Sequence, residues 1–204
     1  LATQALPDET VRPPRLLAAM RHGALNGGKR LRPVLVMEAA NLFGRADDGV
    51  LQAACALELI HCYSLVHDDL PAMDDDDLRR GQPTVHKAYD EATAILAGDA
   101  LLTLAFDVIT GEAVHADAAV RLRLSRELAR ASGIGGMAGG QAMDMAADSA
   151  TYDLHTITRL QQLKTGALLT ASVEMGAILG RVPPESRAPL LNYARDIGLA
   201  FQIV

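Results

Sequence analysis

The feature that most constrains this chain is an apolar run that ends in a burst of charge. From Asp68 to Pro83 the sequence reads DDLPAMDDDDLRRGQP, six carboxylates and two guanidiniums in sixteen residues. The stretch before it, Val50 to Val66, is apolar nearly all round, the mark of a buried helix. Its exceptions Glu58, His61 and Ser64 step by three residues and continue to Asp68 four further on, one polar stripe leading toward the carboxylates. Buried polar groups need partners. The stripe therefore either meets neighbouring helices, a reading that suits Glu58 equally well, or lines a cavity.

Mg²⁺ takes oxygen ligands and typically uses one or two carboxylates plus substrate phosphates. Asp68, Asp69 and Asp74 offer the first, and Arg79 and Arg80 a grip on the second. On an unbroken helix Asp68 and Asp74 would point roughly 120° apart and could not share an ion. Pro71 lies between them and disrupts the helical ladder. A kinked or bulged turn at Leu70–Met73 is therefore expected to swing Asp74 onto the face of Asp68. A solvated acidic loop is the plainer alternative; the arginines and the helix in front favour a metal–diphosphate site.

With 204 residues, half of them apolar, and a formal charge of −6, the chain suits one domain with a sizeable core. Ala, Leu and Met abound, Trp is absent and β-branched alternation is nowhere sustained, so an all-α fold is expected. No apolar stretch is read as a membrane span and no secretory leader is seen at Leu1. The missing initiator Met suggests a trimmed start. Cys55 and Cys62 lie about 10 Å apart along one helix, too far for a disulfide, so the cytoplasm is the expected compartment. Acidic balance and few aromatics argue against nucleic acid.

Leu1 to Pro14 reads as a surface lead-in or the remnant of a longer helix. A helix is expected over Arg15 to Leu25, followed by NGGKRLRP (Asn26–Pro33). Three cations at a helix start oppose the macrodipole unless an anion sits there, or unless nearby acids pair them. Further helices are expected over Val34 to Phe43, Ala92 to Val108, with Asp99 a partnered core carboxylate, and Ala116 to Ala131, with Arg121, Arg123, Arg126 and Glu127 on its wet face. The glycine-dense stretch Gly133 to Gln141 is expected to let two helices approach closely, and Gln141 and Asp144 either face a cavity or do not. Asp153 is a plausible cap for a helix to Leu179, kinked at Lys164-Thr165-Gly166, where Lys164 either snorkels to water or bends over a ligand anion. The last segment, Arg187 to Val204, lacks a stop signal, which suggests that the chain continues.

Five blocks are recognisable together: GGKRLRP (Gly27–Pro33), HDDLPAMDDDDLRRGQPT (His67–Thr84), GGQAMD (Gly139–Asp144), KTG (Lys164–Gly166) and GLAFQ (Gly198–Gln202). In this order the chain resembles the short-chain trans-prenyl diphosphate synthases, with the nearest likeness to the bacterial farnesyl type. The resemblance implies an all-α bundle of long, mostly antiparallel helices around a deep cavity, working as a homodimer on diphosphate substrates. Asp68 and Asp74, helped by Asp69, would hold Mg²⁺ (or Mn²⁺) on the allylic diphosphate. Arg79, Lys164, Thr165 and Gln202 would complete that site, and Lys29, Arg32, His61 and Arg80 would bind isopentenyl diphosphate. Tyr63, with Ser64, matches the bulky position that limits product length. The family's second motif, DDxxD, would begin just past the Phe201-Gln202 match, beyond Val204. Either the sequence is incomplete or half the metal site is missing, and a chain ending there would turn over little.

The implied reaction loses diphosphate from an allylic carbon, adds the isopentenyl double bond to the cation and releases a proton. It needs no side-chain nucleophile, and no triad-like constellation is present. Farnesyl diphosphate is the expected product, with geranyl and geranylgeranyl diphosphate as alternatives. A terpene cyclase is opposed by the GGKRLRP grip and Arg80. A non-catalytic partner subunit is opposed by the intact Asp68–Arg80 block and favoured by the missing motif.

Overall fold

The computed structural model describes Leu6, residues 13–147 and residues 152–201, with the side chain of Phe201 excluded. The Gln202 assignment and most of the expected lead-in fall outside these residues. In chain order the elements are α1 (Pro14–Leu25), α2 (Leu31–Asn41), α3 (Asp48–Asp68), a hairpin of β1 (Leu78–Arg79) and β2 (Gln82–Pro83), α4 (Val85–Ala88) and α5 (Glu91–Thr110). Then follow α6 (Ala118–Ser132), α7 (Met137–Ala147), α8 (Leu154–Gln161), a π-helical turn (Gln162–Gly166), α9 (Ala167–Leu179), a 3₁₀ turn (Pro184–Ser186) and α10 (Ala188–Phe201). The two-residue strands pair antiparallel and are the only sheet among the described residues, so the fold is all-α as expected.

The chain divides into two compact units, residues 1–30 with 55–109, and residues 31–54 with 110–204. In the first, the buried part of α3 supplies Leu57, Leu59 and Ile60, all fully enclosed, and α5 supplies Ala94, Ala97, Leu101 and Ala105. In the second, α9 is the core element: Leu168, Leu169, Met175 and Leu179 are buried, and it packs on α2, α6 and α10. Its apolarity all round, foreseen for the half beyond Ala167, requires neighbours on every side.

Local chemistry explains the boundaries. Asp47 begins α3 by accepting from the Val50 amide at 3.1 Å, slightly earlier than the apolar run suggests. Helix α2 starts at Leu31, so Pro33 sits in its first turn, where a missing N–H costs nothing. Asp153 accepts from the Thr156 amide at 2.8 Å and starts α8. The expected kink at Lys164–Gly166 takes the form of the π turn, a widened loop of helix typical of functional sites.

Two expectations need correction. Asp99 is not a core carboxylate: its side chain is 61% exposed on α5, with His67 Nε2 4.0 Å from its Oδ1. Burial on α5 favours the face of Ala94, Ala97 and Leu101, and position 99 turns away from it. Second, α3 and α5 are both long and apolar enough to cross a membrane by length and composition, contrary to the absence read from the sequence. Scattered polar residues disguise their overall hydropathy. Most of α3 is buried within the protein, whereas α5 exposes Ile95 and Leu96.

Candidate functional site

The acidic stretch is built by its backbone. Helix α3 ends at Asp68, the Leu70 carbonyl accepts from Met73 at 2.8 Å, and the Asp74 amide returns to the Asp68 carbonyl at 2.8 Å. A six-residue return replaces the helical ladder, so Asp74 comes back to the end of the helix that carries Asp68. This is the distortion that Pro71 led one to expect.

Three of the other carboxylates are paired with cations, two of them with the same arginine. Asp69, only 3% exposed, accepts from Arg79 Nε at 2.6 Å, and Nη2 of the same guanidinium bonds Asp69 and, at 3.1 Å, Asp76. Burial pushes the Asp69 carboxyl up, against the opposing pull of Arg79. The Asp69 hydrogen bond in turn raises Arg79. Asp77 pairs with Lys87 at 2.7 Å on the surface. Thr84 Oγ1 donates to the Asp76 carbonyl at 2.8 Å and ties the hairpin to the acidic loop. Asp76 was not singled out in the sequence; its place three residues before Arg79 was the available signal.

The basic turn belongs to the same unit as far as Arg30. Gly27 and Gly28 take φ of 70° and 113°, conformations that suit glycine. A Cβ on Gly28 would overlap the Arg80 guanidinium. Arg80 Nη1 donates to the Gly27 carbonyl, and Asn26 Nδ2 donates to the Arg79 carbonyl at 3.3 Å. Arg80 and the GG of GGKRLRP, far apart in sequence, are thus one assembly, with exposed Lys29 beside them.

Arg30 departs from the expected trio of anion-gripping cations. It turns inward, bonding Glu58 at 2.6 Å and the Ala24 carbonyl at 2.8 Å, and it reaches Cys62 Sγ at 3.8 Å. Glu58 is 3% exposed, so the nearby-acid alternative holds for this one cation, and the polar stripe of α3 begins in a structural lock. Burial, with Glu58 beside it, pushes the Cys62 thiol up to about 12, and Cys55 and Cys62 are both free. His61 is half-buried one turn past Glu58, and Ser64 Oγ donates to the His61 carbonyl at 2.9 Å. Tyr63 is partly buried; burial first, then Asp68, raises its phenol.

Arg32 lies in the first turn of α2, in the second unit. Lys164 and Thr165 sit in the π turn of that unit, both half-buried. Lys164 Nζ donates to Asp144 Oδ2 of α7 at 2.5 Å, so the ammonium neither snorkels nor lies bare. A Cβ on Gly140 would overlap the Lys164 backbone, the close approach foreseen for the glycine-dense stretch. Gln141 buries both amide heteroatoms there without a hydrogen-bond partner.

Residues 13–204 match the polyprenyl synthetase family. The chain belongs to that family. Among curated relatives it is 50% identical to the farnesyl diphosphate synthase of Escherichia coli over 191 residues, covering 92% of this chain and 64% of that protein. It is 46% identical to the Bacillus subtilis farnesyl diphosphate synthase, covering 94% and 65%. The crystal structure of an FPP/GFPP synthase from Zymomonas mobilis superposes with a TM-score of 0.95 at 55% identity, covering 99% of this chain and 73% of that one. This polyprenyl synthetase chain thus spans 64–65% of the length of the first two relatives, and its all-α architecture is that of the isoprenoid synthases.

Proposed function

We propose that the protein is a prenyltransferase that joins an allylic diphosphate to isopentenyl diphosphate, head to tail, with farnesyl diphosphate as product. Similarity to bacterial farnesyl diphosphate synthases supports the substrate class. The observation that carries the reading is the return of the Asp74 amide to the Asp68 carbonyl beside a paired Arg79, which supports two carboxylates and a guanidinium working on one diphosphate. Both units belong to one catalytic domain, since the family match runs through them. The protein acts in the cytoplasm, without nucleic acid or stable membrane attachment, as a homodimer. Exposed Ile95 and Leu96 on α5 support a second copy as the partner.

The donors suit magnesium. Asp68 and Asp74 offer hard carboxylate oxygens, and among the described residues no group of three or more metal-ligating side chains forms a cage of its own. Mg²⁺ characteristically completes its shell with water and substrate phosphate. Mn²⁺ would suit the same oxygens. When bound, the metal withdraws charge from the departing diphosphate oxygens.

The chain's own residues do the rest. Asp69, expected to help Asp68 and Asp74 with the metal, is instead taken up with Asp76 in holding the Arg79 fork, which binds the allylic diphosphate; Lys164 and Thr165 from the π turn, with Gln202, bind the same group. Lys29, Arg32, His61 and Arg80 bind isopentenyl diphosphate. Apolar walls keep water from the allylic cation, and Tyr63, with Ser64, stops chain growth. The released diphosphate accepts the proton, so no tuned side-chain base is required.

The test is incubation of the protein, at its full coding length, with Mg²⁺, dimethylallyl diphosphate and isopentenyl diphosphate. A C15 diphosphate is expected. No condensation product would instead make the protein a silent partner subunit.

A further inference from the structure

Between Tyr63 and α5 lies a contact chain that the proposed reaction leaves unused. His67, one turn beyond Tyr63 on α3, stands edge-on to the phenol ring with centroids 5.8 Å apart and planes at 77°. Its Nε2 lies 3.0 Å from the Ile95 carbonyl of α5. A carbonyl only accepts, so Nε2 carries the hydrogen and donates it. The ring can sit there because residue 98 is glycine: a Cβ on Gly98 would overlap Nε2, Cδ2 and Cε1 of His67. Asp99 Oδ1 lies 4.0 Å from Nε2 on the same side.

We propose that Gly98 and His67 form a brace that fixes the Tyr63 ring and thereby helps set product length. The proposal rests on the reading of Tyr63 as the limit to chain growth. A tyrosine on a helix has two soft side-chain torsions and would otherwise yield to a growing prenyl chain. An edge-to-face partner resists that movement, and this partner is itself hydrogen-bonded to the backbone of a second helix. Gly98 and His67 are positioning residues: neither needs to touch substrate.

Product lengths from the full-length protein, with dimethylallyl and isopentenyl diphosphates and Mg²⁺, decide the matter by mass spectrometry. His67→Ala removes the partner ring, and Gly98→Ala drives it from its notch. Each is expected to raise the share of products beyond C15 roughly two- to tenfold, the weight of an aromatic pair. On a Tyr63→Ala background His67→Ala should add nothing, because the braced ring is gone. If Tyr63→Ala lengthens the products while His67→Ala and Gly98→Ala keep the wild-type distribution, the brace is refuted and Tyr63 remains the limit. If Tyr63→Ala itself changes nothing, the Tyr63 reading and the brace fall together. Should Gly98→Ala fail to fold, His67→Ala decides alone, since it removes atoms rather than adding them.

Discussion

Two guanidinium–carboxylate pairs in the first unit look alike in sequence and differ in kind. Arg30–Glu58 closes on itself: Glu58 is 3% exposed, and the guanidinium also bonds the Ala24 carbonyl. Arg79–Asp69 is equally short, yet Arg79 is also held by Asp76 from the exposed acidic loop. The first pair fixes the entry to the basic turn; the second holds the cation proposed to meet the allylic diphosphate. The difference lies in where the remaining donors go, inward to a backbone carbonyl or outward toward the acidic loop.

The largest break in this comparison is Glu58→Ala, which strands Arg30 without its buried partner. It should cost about 3–5 kcal/mol of stability, the usual penalty for halving a buried pair, read by denaturant unfolding. An unchanged midpoint would show that Arg30 finds water. Arg79→Lys should act on function instead. In the proposed reading this loses charge-assisted bonds to diphosphate and weakens allylic kcat/KM about tenfold to a hundredfold, while stability falls less than in Glu58→Ala because a lysine ammonium still faces buried Asp69; a purely structural Arg79 would lose stability and keep kcat/KM.

A smaller effect comes from Asp90, the cap of α5. Thr93, through its amide at 2.6 Å and its hydroxyl, and Arg15 hold this carboxylate down at about 2. Its folded value lies below the ordinary range near 4. Its stabilisation is therefore full above about pH 4 and is lost as the pH falls through 2. Asp90→Asn should flatten this part of the stability profile, and an unaltered acid limb would exclude Asp90 as its source. Smallest of all, Asp77→Asn breaks the exposed Lys87 pair and should leave the melting temperature unmoved. A clear drop would mean that the acidic loop depends on it.

Much of this was legible in the sequence. The buried helix, the turn forced near Pro71 and the break at Lys164–Gly166 each rest on local rules of backbone and periodicity. What escaped depended on contacts across the chain. Arg30 and Arg32 are indistinguishable by spacing, and only Glu58, twenty-eight residues on, separates the lock from the proposed ligand. Asp99 was misjudged because an apolar helix does not reveal which of its faces is covered. Gly98 gave no sign of its purpose, which lies in the His67 ring thirty-one positions earlier.

The central claim is that Asp68 and Asp74, joined through the backbone at the broken end of α3, work on a diphosphate rather than support the fold. Asp68→Ala in the full-length protein tests it, with turnover and circular dichroism measured on the same sample. Condensation should fall about a hundredfold to a thousandfold with the helical signal unchanged; retained turnover, or loss of that signal, would contradict the account.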